Sequence, residues 1–277
     1  RRQRQMCIRD RRWKSKLQVR GVIMKKVVKF GGSSLANAEQ FQKVGDIIRS
    51  DESRRYVVPS APGKRFDEDI KVTDMLYGCY DAASKGEDIT EKINAIKARY
   101  YEIIKGLGLS LSLEEEFKKI DEDFRAQAGI QYAASRGEFL NGKIMAAYLG
   151  YDFVDAASVI RFDKAGNLEA EETNKLLSKK LSKSQHAVIP GFYGACADGT
   201  VKTFSRGGSD VTGSLVAKAI HADIYENWTD VSGFLVTDPR IVHNPEPIEA
   251  ITYRELRELS YMGATVPVSY THLTLPT

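Results

Sequence analysis

The amino-acid sequence predicts an α/β fold, a three-layer α/β/α sandwich with a mostly parallel central sheet. Three observations support this prediction. Short β-branched runs alternate with amphipathic helical segments, which is the pattern of strands joined by helical crossovers. Glycine- or proline-rich turns follow several of the strand runs. The chain of 277 residues, 42% of them hydrophobic, is also long enough for one large domain or two small ones.

The first half of the chain opens with a strand and then becomes mostly helical. Residues 26–30 form a short apolar run closed by two glycines, and residues 41–48 carry apolar side chains at helical spacing. A β-branched run at 56–58 predicts the second strand. Residues 73–135 are rich in Glu, Lys and Ala and predict helices, and an amphipathic helix is predicted over 137–149.

The second half returns to shorter elements. Residues 151–159 and 187–189 predict two further strands, and Asp198–Gly199 is a hairpin turn signal between two extended stretches. A glycine-rich loop then opens a helix predicted over 211–220, and residues 223–227 predict a strand. Sheets built in this way bind ligands at the carboxyl ends of their strands, where these glycine-rich turns lie.

The formal net charge of +4 comes from one end of the chain. Residues 1–23 contain nine Arg or Lys and a single acid, so residues 24–277 carry a net charge of −4. The body of the protein therefore offers no electrostatic basis for binding nucleic acid. No apolar run approaches the length needed to cross a bilayer, so no membrane partner is expected.

Both ends differ in character from the rest of the chain. Residues 1–23 lack the apolar stretch of a secretion signal and the serines of a transit peptide. Residues 267–277 are uncharged and rich in Thr. We interpret both segments as non-native, adapter-like extensions, with a natural basic arm as the alternative at the N-terminus. One domain is expected over residues 24–266.

The three cysteines and four histidines show no metal-ligand spacing. An odd number of cysteines without a CxxC pair is typical of a reducing compartment and gives no reason to expect disulfides. The sequence therefore predicts a cytoplasmic protein with no metal site built from its own side chains.

Four segments place glycine beside polar groups near predicted element ends, namely Lys29–Ser34, Arg136–Glu138, Arg206–Asp210 and Trp228–Arg240. In the first segment, paired glycines let backbone N–H groups approach an anion and Lys29 supplies a cation. In the third, Arg206 is a bidentate donor beside the Asp210 carboxylate. The simpler alternatives are ordinary turns, a helix cap at Ser209 or Asp210, and a first-turn acid at Glu138.

Several nucleotide-binding motifs are missing from the sequence. It contains no Walker A loop, no HRD or DFG set of protein kinases, and no GxGxxG fingerprint. The residues alone therefore indicate an α/β protein that binds an anionic ligand, with a nucleotide as the favoured class.

Five motifs in this order resemble the aspartate kinase branch of the amino-acid kinase family, over essentially the whole of residues 24–266. They are KFGGSS (29–34), VVPSAPGK (57–64) together with KVTDML (71–76), RGE (136–138), FSRGGSD (204–210) and WTDVSGFLVTDPR (228–240). The resemblance implies the amino-acid kinase fold. It also implies ATP-dependent phosphorylation of the β-carboxylate of L-aspartate to 4-phospho-L-aspartate, the first step toward lysine, threonine and methionine.

The same resemblance implies roles for particular residues. Lys29 and Asp210 are the expected catalytic pair, with Lys29 stabilising the transferring phosphoryl group and Asp210 ordering that lysine or the metal–phosphate assembly. Arg206 is expected to bind the substrate carboxylate and Glu138 its ammonium. The remaining substrate-binding residues are expected to be Ser60, Thr73 and Ser209. The expected nucleotide-binding residues are Lys29, Gly31, Gly32, Ser33, Thr229, Asp230, Asp238 and Arg240.

The resemblance further implies Mg²⁺ bound to the phosphates of ATP, and a homodimer in the full-length family form. The sequence also departs from the family pattern. Leu235 stands where the family often has an aromatic residue, and beyond Val266 the family continues into another nucleotide-site segment and a pair of ACT regulatory domains. Feedback regulation is therefore expected to lie outside this chain. The alternatives are a kinase of glutamate, N-acetylglutamate or UMP, or a non-catalytic nucleotide-binding fragment.

Overall fold

The computed structural model describes residues 4–7, 24–205 and 207–229, and the strands in these ranges form one large sheet and one hairpin. The strands are β1 (Arg4–Cys7), β2 (Lys26–Phe30), β3 (Arg54–Pro59), β4 (Asp152–Phe153), β5 (Ala187–Val188), β6 (Tyr193–Ala195), β7 (Val201–Thr203) and β8 (Ile224–Thr229). β6 and β7 pair as an antiparallel hairpin. The large sheet has the strand order β1-β8-β2-β3-β5-β4.

Helices cover both faces of the large sheet. They are α1 (Ala38–Arg49), α2 (Val72–Ser84), α3 (Thr90–Gly106), α4 (Glu114–Arg125), α5 (Ile130–Leu149), α6 (Ala156–Val159), α7 (Ala170–Leu181) and α8 (Gly208–Ala219). Among the described helices, none is both long and apolar enough to span a membrane.

The central strand is β2, which pairs in parallel with β3 on one side and with β8 on the other. β3 and β4 each pair in parallel with β5. Among the described strands of this sheet, only β1 is antiparallel, and it pairs with β8 at the edge. The predicted α/β fold with a mostly parallel sheet is therefore confirmed.

β1 lies in the segment that the sequence analysis left out of the fold. Its backbone pairs with β8 from Arg4 opposite Thr229 to Cys7 opposite Glu226. An edge strand presents unpaired N–H and C=O groups that can pair with another extended segment, which gives a physical reason for this contact. The interpretation of residues 1–23 as non-native remains a prediction.

Two apolar layers follow from the alternation of side chains along the strands. Val28, Phe30 and Trp228 point to one face and pack with the buried side chains of α1 to α5. Val27 and Val58 point to the other face and pack with those of α6, α7 and α8. Helix, sheet and helix thus form the three predicted layers.

Two predicted elements differ from the structure. The helix predicted over 137–149 begins at Ile130, after Gly129 with a φ of 105°, so it is seven residues longer at its start. The strand predicted over 151–159 is limited to Asp152–Phe153, because the Asp155 side chain accepts a hydrogen bond from the Ala157 N–H and starts the short helix α6. Helix α7 had no counterpart in the sequence analysis.

Candidate active site

The candidate site lies at the carboxyl ends of β2, β3 and β8. Backbone hydrogen bonds continue from these strands into the loops that follow them. The N–H of Ser60 donates to Phe30 O at 3.1 Å, and the N–H of Gly31 donates to Trp228 O at 3.3 Å. A third such bond, from Gly191 N–H to Pro59 O, brings in the loop after β5. The loops are thereby held against one another by the sheet itself.

The first element of the site is a lysine–aspartate pair. The ammonium of Lys29, on β2, lies 2.9 Å from Oδ1 of Asp210, in the first turn of α8. Asn227, the register partner of Lys29 on β8, donates from Nδ2 to the same Oδ1 at 3.1 Å. All three side chains are largely shielded from solvent, so their electrostatic interactions are stronger than those of a surface pair.

The glycine pair after β2 lies directly against the loop after β3. A Cβ on Gly32 would lie 2.7 Å from the carbonyl oxygen of Ala61, and the N–H of Gly63 donates to Gly32 O at 2.8 Å. Only a residue without a side chain fits at position 32, because the neighbouring atoms belong to the backbone. The backbone of the Gly31–Ser34 segment is thus fixed beside Lys29.

Ser60 and Ser209 connect the ends of β3 and α8. The two hydroxyl groups are 3.0 Å apart and form a hydrogen bond. The carbonyl of Ser60 also accepts a hydrogen bond from Nδ2 of Asn141, on α5, at 2.6 Å. Three elements of the fold therefore meet at Ser60.

The N-terminus of α8 is built differently from the helix cap considered in the sequence analysis. Gly207, in the left-handed region with a φ of 55°, is the N-cap, and it provides no side-chain cap. Ser209 and Asp210 lie inside the first turn, so neither caps the helix. Their side chains instead contact Ser60 and Lys29, which makes them available to a ligand at this end of the sheet.

The backbone of Phe192 supports this helix start. Phe192 has a φ of 79°, which is uncommon for a residue with a Cβ. Its N–H donates to the hydroxyl of Thr212 at 3.2 Å, and that hydroxyl donates to Gly208 O at 2.9 Å. Such strain persists only where the surroundings impose it, and it occurs often at functional sites.

Glu138 is a buried carboxyl group in the interior of α5. Because the helix begins at Ile130, Glu138 lies in its third turn, and the alternative of a first-turn acid that complements the helix dipole is excluded. Burial raises the pKa of Glu138 to about 8, although a hydrogen bond from the Ala61 N–H acts in the opposite direction. Its Oε2 has no hydrogen-bond partner in the described part of the chain.

Thr73 and Arg136 complete the surroundings of Glu138. A Cβ on Gly137 would lie 2.8 Å from Ala61 Cβ and 3.7 Å from the Thr73 hydroxyl, so Thr73 lies beside the same stretch of α5. Arg136 is buried among aromatic rings, 4.5 Å from the ring centres of both Tyr132 and Phe139. It therefore serves mainly to pack α5 and to place a positive charge near Glu138.

The structure brings together most of the predicted site residues that it describes. Lys29, Gly31, Gly32, Ser60, Thr73, Glu138, Ser209 and Asp210 surround one end of the sheet, and Ser33 lies exposed in the turn after β2. Thr229 is the last residue of β8. Arg206, Asp230, Asp238 and Arg240 lie outside the described residues, so their predicted roles remain predictions.

Two asparagines at the site were missed in the sequence analysis. Asn227 lies in a β-strand, where asparagine is disfavoured, and it is directly before the WTDV motif. Asn141 follows Glu138 by three residues, so the two share one face of α5. In both cases the signal available in the sequence was an asparagine close to a motif, in a predicted strand or helix where this residue type is unfavourable.

Known proteins with the same arrangement identify the family. The amino acid kinase family model matches residues 24–269. Aspartokinase 3 of Bacillus subtilis (strain 168) is 40% identical over 257 residues, covering 87% of this chain and 56% of that protein. The crystal structure of Clostridium acetobutylicum aspartate kinase superposes with a TM-score of 0.82 at 50% identity, covering 86% of this chain and 55% of that one.

A second solved structure, E. coli aspartokinase III in complex with aspartate and ADP, gives a TM-score of 0.73 at 27% identity and covers 86% of this chain and 56% of that one. The chain thus spans about half the length of these relatives. The family model covers every described element from β2 to β8, and only β1 lies outside it. The chain belongs to the amino acid kinase family.

Proposed function

We propose that this chain carries the catalytic domain of an aspartate kinase, which transfers the γ-phosphoryl group of ATP to the β-carboxylate of L-aspartate. The observation that carries the proposal is the Lys29–Asp210 pair at the end of β2, beside the buried carboxyl group of Glu138. The similarity of this chain to aspartokinases, one of which was solved in complex with aspartate and ADP, supports the choice of substrates.

A carboxylate nucleophile needs no strong base, so catalysis depends on positioning and on neutralising charge. Lys29 is placed to stabilise negative charge on the transferring phosphoryl group. The backbone N–H groups of Gly31–Ser33 and of the first turn of α8 provide further donors for anionic oxygens. Asp210 pairs with Lys29 and is itself held by the hydrogen bond from Asn227.

Substrate binding is assigned to the other half of the site. Glu138 in its charged form pairs with the α-ammonium of aspartate, and the Ser60 and Ser209 hydroxyls donate to its carboxylates. Thr73 lies next to this region on α2. Arg206 is assigned to the α-carboxylate, and Thr229, Asp230, Asp238 and Arg240 to the nucleotide, on the basis of their motifs alone.

Magnesium fits the donor set of this site. In the described ranges no three His, Cys, Asp or Glu side chains come together as a metal cluster. Mg²⁺ in phosphoryl-transfer sites is typically held by one or two carboxylates together with substrate phosphates and water. Asp210 would hold it through Oδ2, because both contacts described above use Oδ1. Bound there, the metal would neutralise charge on the phosphates.

The remaining proposals concern the whole protein. We infer a cytoplasmic enzyme of amino-acid biosynthesis that forms a homodimer in its full-length form. The buried free thiols of Cys79 and Cys196 support a reducing compartment.

The experiment that tests the proposed function combines the 277-residue chain with ATP, Mg²⁺, L-aspartate and hydroxylamine, which traps the acyl phosphate as a hydroxamate that is detected as its coloured complex with Fe³⁺. L-Glutamate, N-acetyl-L-glutamate and UMP serve as alternative acceptors, with ADP release as the readout for UMP. Hydroxamate from aspartate alone is expected. Turnover of another acceptor, or none from a folded sample that binds ATP, would contradict the proposal for this chain.

A further inference from the structure

Two buried oxygen atoms on α5 have no hydrogen-bond donor among the described residues: Oε2 of Glu138 and Oδ1 of Asn141. The two residues are three positions apart, so they lie on the same face of the helix. Both side chains are at least nine-tenths buried. A buried acceptor without a donor is costly, and two on one face of a helix call for an explanation.

The orientation of the Asn141 amide is fixed by chemistry. Its Nδ2 lies 2.6 Å from the carbonyl oxygen of Ser60, which can only accept a hydrogen bond. The amide nitrogen must therefore face Ser60, and Oδ1 must point away from it. Glu138 is held by Ala61, the residue that follows Ser60, because its carboxyl group accepts a hydrogen bond from the Ala61 N–H. The backbone of Ser60–Ala61 thus holds both side chains close together.

We infer that Asn141 is a second ligand of the substrate's α-ammonium group, acting together with Glu138. An ammonium has three N–H donors and no acceptor, so it suits two acceptors on one helix face. The carboxylate of Glu138 would accept a hydrogen bond from one ammonium N–H, and the amide oxygen of Asn141 would accept one from another. This inference rests on the proposed function, and it adds a residue that selects amino acids over plain dicarboxylates.

The position of Asn141 agrees with this role. Ser60, to which it donates, is hydrogen-bonded through its hydroxyl to Ser209 at the start of α8. The next residue, Gly142, packs against Pro190 in the loop after β5. Asn141 therefore lies beneath the point where the loops after β3 and β5 meet α8.

The test removes the amide oxygen of Asn141 from the protein and, separately, the ammonium group from the ligand. Binding of L-aspartate and of succinate, which lacks the ammonium, is measured by ligand-detected NMR titration of the 277-residue chain and its Asn141→Leu variant. We expect the dissociation constant for L-aspartate to rise about ten- to a hundredfold. The constant for succinate is expected to change by less than about threefold, because that ligand makes no ammonium contact.

The matched control is Asn174→Leu. The Oδ1 of Asn174 is also buried without a partner in the described part of the chain, but it lies on α7, away from the site. This variant is expected to leave both dissociation constants unchanged. Equal weakening of both ligands in Asn141→Leu would mean that Asn141 only positions Ser60, and would overturn the inference.

A second variant tests the inference if Asn141→Leu does not fold. In Glu138→Gln, Asn141 is intact, so a residual preference for L-aspartate over succinate is expected. Loss of all preference would identify Glu138 as the sole ammonium ligand and overturn the role of Asn141. If the unmodified chain binds neither ligand, the proposed function fails, and the inference fails with it.

Discussion

Lys29 and Asn227 occupy paired positions on the parallel strands β2 and β8, and both side chains contact the same oxygen of Asp210. Adjacent residues in register point to the same face of a sheet, which here is the face covered by α8. If Lys29 stabilises a phosphoryl group, its ammonium must weaken its interaction with Asp210 in order to donate hydrogen bonds to the ligand. In the proposed mechanism, the hydrogen bond from Asn227 would keep Asp210 in place during this exchange.

The first prediction follows from this arrangement. Replacing Asn227→Leu removes one of the donors that the described residues provide to the Asp210 side chain, and it leaves this carboxylate less well placed. We expect kcat to fall about tenfold, which corresponds to one charge-assisted hydrogen bond. The KM for L-aspartate should change little, because Asn227 contacts neither Ser60 nor Glu138 in the structure. A reduced melting temperature with unchanged kcat would indicate a purely structural role.

The second prediction concerns Lys29 itself. Lys29→Met keeps much of the length of the side chain but removes its charge from the proposed phosphoryl site. The hydroxamate assay should show a loss of kcat of about a thousandfold, as for other groups that stabilise transition-state charge. Lys25→Met is the matched control, since Lys25 is exposed just before β2 and should leave kcat unchanged. Comparable kcat values in both variants would remove Lys29 from the mechanism.

The third prediction is a pH dependence of substrate affinity. Because burial raises the pKa of Glu138 to about 8, this group is mostly protonated and neutral at pH 6 in the free protein. Binding an ammonium requires the charged form, so the affinity for L-aspartate should rise up to about tenfold per pH unit between pH 6 and 8. Calorimetry in buffers of different ionisation enthalpy should detect close to one proton released at pH 6.5.

The same experiment on Glu138→Gln provides the comparison. Glutamine cannot titrate, so this variant should bind weakly at every pH and release no proton. A wild-type affinity that does not change between pH 6 and 8 would show that Glu138 is already charged in the free protein.

The fourth prediction concerns stability. A carboxyl group whose pKa rises from 4.5 to about 8 on folding contributes stability that is fully present below about pH 4.5 and is lost as the pH rises through about 8. Glu138→Gln has no such loss, so it should be the more stable protein at pH 8.5, by on the order of 3 kcal/mol. Urea unfolding at pH 5 and pH 8.5 should show this difference grow with pH. Glu115→Gln, on the exposed side of α4, should show none.

The elements that sequence reasoning placed correctly are those with local signals. β2 and β3 could be predicted because a run that contains paired valines and the glycine or proline turn that closes it are both contained in a few residues. The same holds for the hairpin around Asp198–Gly199, where Gly199 has a φ of 88°. The motifs that end at these strands therefore came together at one edge of the sheet.

Two features were not predicted from the sequence: the burial of Glu138 and the contact of Asn227 with Asp210. Both depend on distant parts of the chain. Glu138 is buried only because α5 starts at Ile130 and packs beneath Ser60 and Ala61, and its raised pKa results from that burial. Asn227 acquires its role from Asp210, which is seventeen residues away in sequence. Neither relationship has a local pattern, so a three-dimensional structure was needed to see them.

The fifth prediction tests the contact between the loops after β2 and β3. In Gly32→Ala the new Cβ would lie 2.7 Å from Ala61 O and 3.2 Å from Gly63 N, and the Gly63 N–H is held in place by its hydrogen bond to Gly32 O. The two loops must therefore separate, which shifts the N–H groups proposed to bind phosphate. Because a shift of about 1 Å can cost about a hundredfold in rate, we expect kcat to fall by that factor.

Gly78→Ala is the matched control, because a Cβ at this position of α2 meets no atom within 4 Å. It should keep full activity and raise stability by about 0.5 kcal/mol, measured by urea unfolding. If Gly32→Ala is as active as Gly78→Ala, the close contact of the loops is not needed for turnover.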